Sequence, residues 1–214
     1  GATLIAQGVR SCQLINIAIR ELMQGIGYSR DDMYEAYADW PNAIDVNRTL
    51  QSISDGVGFV NFRGYDNWGN IYPANIINLQ NEWMLPVVTG MVCGTNDFAN
   101  EWPDNMSAAG CRGEAYLRAW RGDDATGGVA CFGPSDLYTH TWFNNTMDGA
   151  FYDAVLYKNV SYLGVACVAS KLSLLRTYPS HLRLGNGTSA GYYFYTYTLL
   201  GDPSMVVRTR EPEN

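Results

Sequence analysis

The chain has 214 residues and a formal net charge of −7, with 47% hydrophobic and only 16% charged residues. That length buries a real core in one domain, or at most two small ones. The acidic balance argues against nucleic acid or an anionic membrane surface as partner, and no apolar run is long enough to span a bilayer.

Ala2 to Ala6 reads as a short apolar strand, broken at Gln7-Gly8. Ser11 is placed to cap a helix through about Met23, with Leu14, Ile17, Ala18, Ile19 and Leu22 as its apolar face and Gly25-Ile26-Gly27 as its stop. Asp31 to Pro41 is polar and aromatic, a loop with a short strand. Asp45 caps a second helix that turns Val46, Leu50 and Ile53 inward. Val57 to Phe62 is a second buried strand, ending at Arg63-Gly64-Tyr65-Asp66. Asn67 to Pro73 reads as a Gly/Asn/Trp loop and Asn75 to Asn81 as a short helix.

Leu85 to Phe98 organises the rest. Pro86 opens a β-branched apolar run through Val92, suited to a strand buried on both faces. It stops at Cys93, and Gly94-Thr95-Asn96-Asp97 is turn chemistry. A thiol at the carboxyl end of a central strand stands where α/β sheets place their ligands; the plain alternative is one more buried small hydrophobe.

Gly113 to Trp120 follows as a helix with Leu117 and Trp120 inward, then a buried strand, Val129 to Phe132. Trp142 to Tyr157 and Val160 to Arg176 have helical spacing. Gly191 to Leu200, rich in Tyr, fits helix or strand. Leu200-Gly201-Asp202-Pro203 is a turn, and Ser204 to Arg208 a last strand. Strands alternating with helices over the whole length predict an α/β sandwich with a mostly parallel sheet, as one domain over residues 1–214.

Five cysteines (Cys12, Cys93, Cys111, Cys131, Cys167) lack metal-type spacing, and the acidic residues lack calcium-loop spacing, so no metal or other cofactor is expected. Asn47, Asn105, Asn144, Asn159 and Asn186 sit in Asn-x-Ser/Thr sequons, which matter only if the source glycosylates.

Two adjacent strands thus end in chemically loaded loops, at Gly64-Tyr65-Asp66 and, after Leu85-Pro86, at Cys93-Gly94. This arrangement resembles the gingipain family of cysteine peptidases, in which a Gly-His-Gly ends one strand and the nucleophilic cysteine ends the next. Asp97-Phe98, Gly113-Glu114-Ala115, Gly127-Gly128-Val129-Ala130 and Leu200-Gly201-Asp202-Pro203-Ser204 match further family segments in order. The resemblance implies a three-layer caspase/gingipain-like sandwich, with Cys93 at the nucleophile position. It also implies that an upstream part of the family's catalytic region, bearing an acidic residue that orients the histidine, lies outside this sequence.

The departure is at the histidine, whose position falls on Tyr65, with Asp66 in place of the following glycine. A thiol near ~8.5 is only a few per cent thiolate at neutral pH, whereas an imidazolium partner can lower it to ~3–4. A phenol, near ~10, cannot do that job, and losing acid–base help costs ~10²–10⁴-fold in rate. Asp66 adds a negative charge that opposes the thiolate, though its amide still offers an oxyanion donor. His140, in the loop after the strand expected beside that of Cys93, is the candidate for a rewired base, and His181 a weaker one. Gly94, Trp68 and Trp142 are candidates to border the cleft, against local packing for the tryptophans. Arg63 either neutralises Asp66 or receives a substrate carboxylate. Asp97 reads as a cap on the Cys93 turn, and Cys131 as core.

Three functions follow from the resemblance. One is a secreted or cell-surface domain of peptidase ancestry, inactive or very weak, that binds a polypeptide or serves a structural role. Another is an active cysteine endopeptidase using Cys93 and His140. The third is a building block of an extracellular assembly, contacting flanking domains of a longer precursor or other copies of itself.

Overall fold

The computed structural model describes residues 1–39, 41–65, 67–98, 110–183 and 185–209. In chain order the elements begin β1 (Ala2–Gly8), α1 (Arg10–Gly25), β2 (Met33–Asp39), α2 (Val46–Ser54), β3 (Phe59–Gly64), α3 (Pro73–Ile76) and β4 (Val87–Gly90). They continue with α4 (Arg112–Arg118), β5 (Trp120–Arg121), β6 (Asp124–Ala125), β7 (Ala130–Pro134), α5 (Thr141–Tyr152), α6 (Leu163–Thr177), α7 (Ala190–Thr196) and β8 (Tyr197–Leu200). Six strands form one sheet in the order β2-β1-β3-β4-β7-β8, and β5 and β6 make a separate small hairpin. Five neighbours run parallel; only β8 runs antiparallel, against β7. This is the α/β sandwich with a mostly parallel sheet that the alternation of elements predicts.

Helices cover both faces, which is why β1, β4 and β7 are buried along their whole length and read as unbroken apolar runs. On one face Leu4, Phe59, Val87 and Phe132 pack with Ile19 of α1, Met147 and Phe151 of α5, and Leu163 and Leu174 of α6. On the other, Ile5, Val60, Phe62, Val88 and Cys131 pack with Ile53 of α2, Ile76 of α3, and Ala115 and Tyr116 of α4. Side chains alternate across a strand, so Asn61, Arg63 and Thr89 point to the α1/α5 face, all three fully buried.

Several expectations shift. Residues 33–39 form a full edge strand, paired with β1 from Ala2↔Met33 to Gly8↔Asp39. It reads as a loop with a short strand because only Met33 and Ala36 are buried. In α1 the buried residues are Cys12, Gln13, Asn16, Ile19 and Met23; of the expected face, Ile19 is buried and Leu22 packs against the core, while Leu14 and Ala18 are exposed. Val9, not Ser11, holds the N-cap position. Asp45 does cap α2, accepting from the Arg48 amide at 3.0 Å. The short helix α3 starts earlier than expected, at Pro73. Leu117 and Trp120 face solvent, while Ala115 and Tyr116 turn inward. The Tyr-rich segment is both candidates in turn, helix α7 and then strand β8. Of the last strand expected at Ser204–Arg208, one bridge forms, between Tyr162 and Val206.

Candidate functional site

β3 and β4 lie side by side from Phe59↔Val87 to Phe62↔Gly90, so the loops that follow them meet at one edge of the sheet, the carboxyl edge where parallel folds bind ligands. Cys93 lies three residues past β4, in a turn fastened from several sides. The Thr95 hydroxyl donates to the carbonyls of Gly90 and Val92, 2.9 Å from each. The buried Asn96 amide donates to the carbonyls of Gly133 at 3.2 Å and Thr198 at 3.1 Å. Glycine at 90 is required, since a Cβ there would sit 2.4 Å from Trp68 Cζ2 and 2.5 Å from Thr95 Cγ2. Gly94 takes a left-handed φ of +67°, and its amide is spent on the Asp136 carbonyl at 3.0 Å. The Cys93 amide has no acceptor among the described residues.

Among the described residues the hydrogen-bond partner of the half-buried Cys93 Sγ is Thr139, with Oγ1 at 3.3 Å and the carbonyl at 3.7 Å. Behind it, Asn144 Nδ2 donates to Thr139 Oγ1 at 3.0 Å, and Asn144 Oδ1 accepts from the Tyr197 hydroxyl at 2.5 Å. Tyr197 is buried and stacked on Tyr193, ring centroids 5.5 Å apart. Burial pushes both phenols above their ordinary value.

His140 follows Thr139 but turns outward. Its ring is exposed, its Nδ1 accepts from Trp142 Nε1–H, and its backbone amide donates to the Tyr193 hydroxyl. An indole N–H only donates, so the neutral ring carries its proton on Nε2 and its basic lone pair faces Trp142, not the thiol. His181 sits in the 3-10 turn Pro179–His181, beside Ser180 and Phe143. Tyr65 is exposed, and its ring edge lies over Gly8 of β1, where a Cβ would be 3.4 Å from Tyr65 Cε2. That is the side of β3 away from β4. Trp68 is fully buried and stacked on Phe62 at 4.5 Å; it is core rather than cleft wall. Trp142 is exposed and borders the site through His140. Asp66 and Asn105 lie outside the described residues. Asn47, Asn159 and Asn186 are exposed, whereas Asn144 is 3% exposed and both its amide atoms are bonded, so a glycan there would have to break the arrangement behind Cys93.

Below the site, the buried Arg63 guanidinium donates to the Met91 carbonyl, to Asn145 Oδ1 at 2.6 and 2.8 Å, and to the Thr141 carbonyl at 3.3 Å. It ties the approach to Cys93 to the start of α5. All these contacts are internal, so Arg63 receives no substrate carboxylate. Next to it Asn61 donates to Asn16 Oδ1 at 2.7 Å and Asp148 Oδ2 at 2.9 Å, and its own carbonyl oxygen accepts from the Thr89 hydroxyl at 2.6 Å. Burial pushes the Asp148 carboxyl up to about 7, against the pull of Arg63 and the Asn61 bond.

All five cysteines are free, and four are buried. Burial raises Cys12, takes Cys111 and Cys167 up to about 12, and Cys131 well above its ordinary value. Cys93 is therefore the one thiol placed to meet a reagent in the folded protein. Among the described residues, no group of three or more His, Cys, Asp or Glu side chains is arranged to hold a metal ion, and no helix is long and apolar enough to cross a membrane.

Sequence reasoning missed Thr139 and Tyr197, which carry no signal of their own, and flagged Asn144 only as a sequon. It flagged Arg63, an odd residue to end an apolar strand, but for other partners.

The sequence profile described as "Peptidase family C25" matches residues 13–208. No curated protein sequence matches the chain. Among solved structures, "the Arg specific cysteine proteinase gingipain R" superposes with a TM-score of 0.82 at 18% identity, covering 99% of this chain and 48% of that one. A complex of Porphyromonas gingivalis RgpB pro- and mature domains gives 0.81 at 18%, covering 99% and 49%. A structure described only as a protease gives 0.73 at 16%, also covering 99% and 49%. The chain thus spans about half the length of the solved chains it matches.

Proposed function

Because the chain belongs to peptidase family C25, we propose that it is a domain of cysteine-peptidase ancestry in which hydrolysis is lost or very weak and the cleft beside Cys93 binds a polypeptide. One observation carries this reading: neither histidine ring is hydrogen-bonded to the Cys93 sulfur. The basic nitrogen of His140 is taken by Trp142, and Tyr65, aligned by resemblance with the family's histidine, lies over Gly8. Amide hydrolysis by a thiol needs a group that removes its proton and later protonates the leaving amine. Among the described residues the hydrogen-bond partners of the Cys93 sulfur are a hydroxyl and a carbonyl, and neither does that. By the same resemblance the domain belongs to a secreted or cell-surface protein, with flanking domains as its neighbours.

A second reading, a peptidase using His140, draws on two facts. Its neighbour Thr139 touches the sulfur, and the bond holding its ring is at the surface. The test is hydrolysis of an unfolded polypeptide by wild type, Cys93→Ala, His140→Ala and Tyr65→His. The expected result is no hydrolysis above Cys93→Ala by wild type or by Tyr65→His, since position 65 turns toward β1. Wild-type hydrolysis that disappears in both Cys93→Ala and His140→Ala would overturn the proposal in favour of the second reading.

A further inference from the structure

The hydrogen-bond chain behind Cys93 has a direction. The Tyr197 hydroxyl has one proton, its ring is locked between Tyr193 and Phe132, and its phenol stays protonated because it is buried. It donates to Asn144 Oδ1. That fixes the Asn144 amide with Nδ2 toward Thr139, where it donates to Oγ1. Oγ1, already accepting there, keeps its own proton for another acceptor, and Cys93 Sγ lies 3.3 Å away.

We propose that the Thr139 hydroxyl, aimed by Asn144 and Tyr197, is the donor that holds the Cys93 thiolate in place of an imidazole. The idea rests on reading Cys93 as the retained nucleophile of the proposed function. In the thiol form S–H points to the Thr139 carbonyl at 3.7 Å; when the proton leaves to solvent, the sulfur accepts from the hydroxyl, a charge-assisted bond stronger than a neutral one. Other charged or titratable groups near the sulfur come from every side. Tyr193 stands on α7 and Tyr197 on β8, Arg63 reaches the Met91 carbonyl from β3, His140 precedes α5, and Asp97 lies in the same turn as Cys93.

Thr139 supports the anion but takes no proton and returns none. The chemistry it favours is attack on electrophiles whose leaving group departs as a stable anion, disulfides foremost. The thiolate forms a bond to one sulfur, the old S–S bond breaks, and the departing thiolate keeps the electron pair without needing a proton. Thr139, Asn144 and Tyr197 are positioning residues in this scheme; Cys93 alone reacts.

The test is the pH dependence of Cys93 alkylation by iodoacetamide, with an aromatic disulfide as second reagent, in the whole chain. Thr139→Val should move the alkylation midpoint up by about one pH unit, slowing reaction at pH 7 about tenfold. Thr139→Ser should return it to near wild type, and Tyr197→Phe should shift it the same way by less. A Thr139→Val profile that superimposes on wild type overturns the proposal, as does a Thr139→Ser profile that follows Thr139→Val. If Thr139→Val does not fold, Tyr197→Phe decides: a shift upward upholds the proposal and superposition overturns it. His140→Ala separates the two readings. A shift there counts against the proposed function and leaves the Thr139 result to stand or fall by itself.

Discussion

Both faces of the sheet carry an apolar core, but β3 and β4 add buried polar side chains to only one of them. Toward α2, α3 and α4 the central strands present Val60, Phe62 and Val88 with Trp68 and Tyr116, a packed apolar surface. Toward α1 and α5 the same strands present Asn61, Arg63 and Thr89, buried and bonded to residues far along the chain. An apolar face holds by area and tolerates substitutions that keep volume. A buried polar face holds only when each group finds its partner, and so fixes the position of what lies above it. The site sits over the second kind, with Arg63 fastening both the Met91 carbonyl and the start of α5.

The largest test of this contrast is Arg63→Ala. It strips donors from two carbonyls and Asn145 and opens a cavity, costing about 4 kcal/mol, and it should also slow Cys93 alkylation. Urea unfolding and alkylation on the same sample check both effects. On the other face, Ile53→Ala should cost about 3 kcal/mol and leave the alkylation profile where it was. A profile that moves as far as with Arg63→Ala would erase the distinction between the faces.

Asp148 sharpens the comparison through pH. Its folded value of about 7 lies above the ordinary carboxyl value. Between pH of about 4 and 7 the folded state therefore keeps a proton that the unfolded state releases, and stability falls as pH rises through that window. Asp148→Asn keeps an acceptor for Asn61 and should flatten that slope, raising stability at pH 8 by about 2 kcal/mol. Urea titrations at a series of pH values read the change. The smallest effect is expected at the surface, where Asp45→Ala removes the cap on α2 at about 1 kcal/mol, again with no change at Cys93.

The same contrast explains what could be read from the sequence. Strands buried on both faces, such as the Val87–Gly90 run and its stop near Cys93, are legible because both covers favour β-branched residues. The active face of α1 is not. Its buried Asn16 is stabilised by the Ile5 carbonyl and by Asn61, partners that helical periodicity does not register, so the pattern selects Leu14 and its neighbours instead. Edge strand β2 reads as shorter than it is because Tyr34, Glu35 and Tyr37 are only half covered. At the site, the position of Cys93 follows from where an apolar run ends. The residue touching its sulfur is 46 positions away, and that contact is made by the fold.

The place of Tyr197 in the sheet bears on how the protein comes into being. It opens β8, the last strand of the six-stranded sheet in chain order, whereas β2, β1, β3 and β4, one unbroken side of the sheet, are all complete by Gly90. The scaffold beneath Cys93 can assemble during synthesis while Asn144 still lacks the hydroxyl that orients it. The environment of the thiol is therefore complete only when β8 docks on β7. Truncations that end before Tyr197 should carry a Cys93 whose chemistry is that of an ordinary exposed thiol.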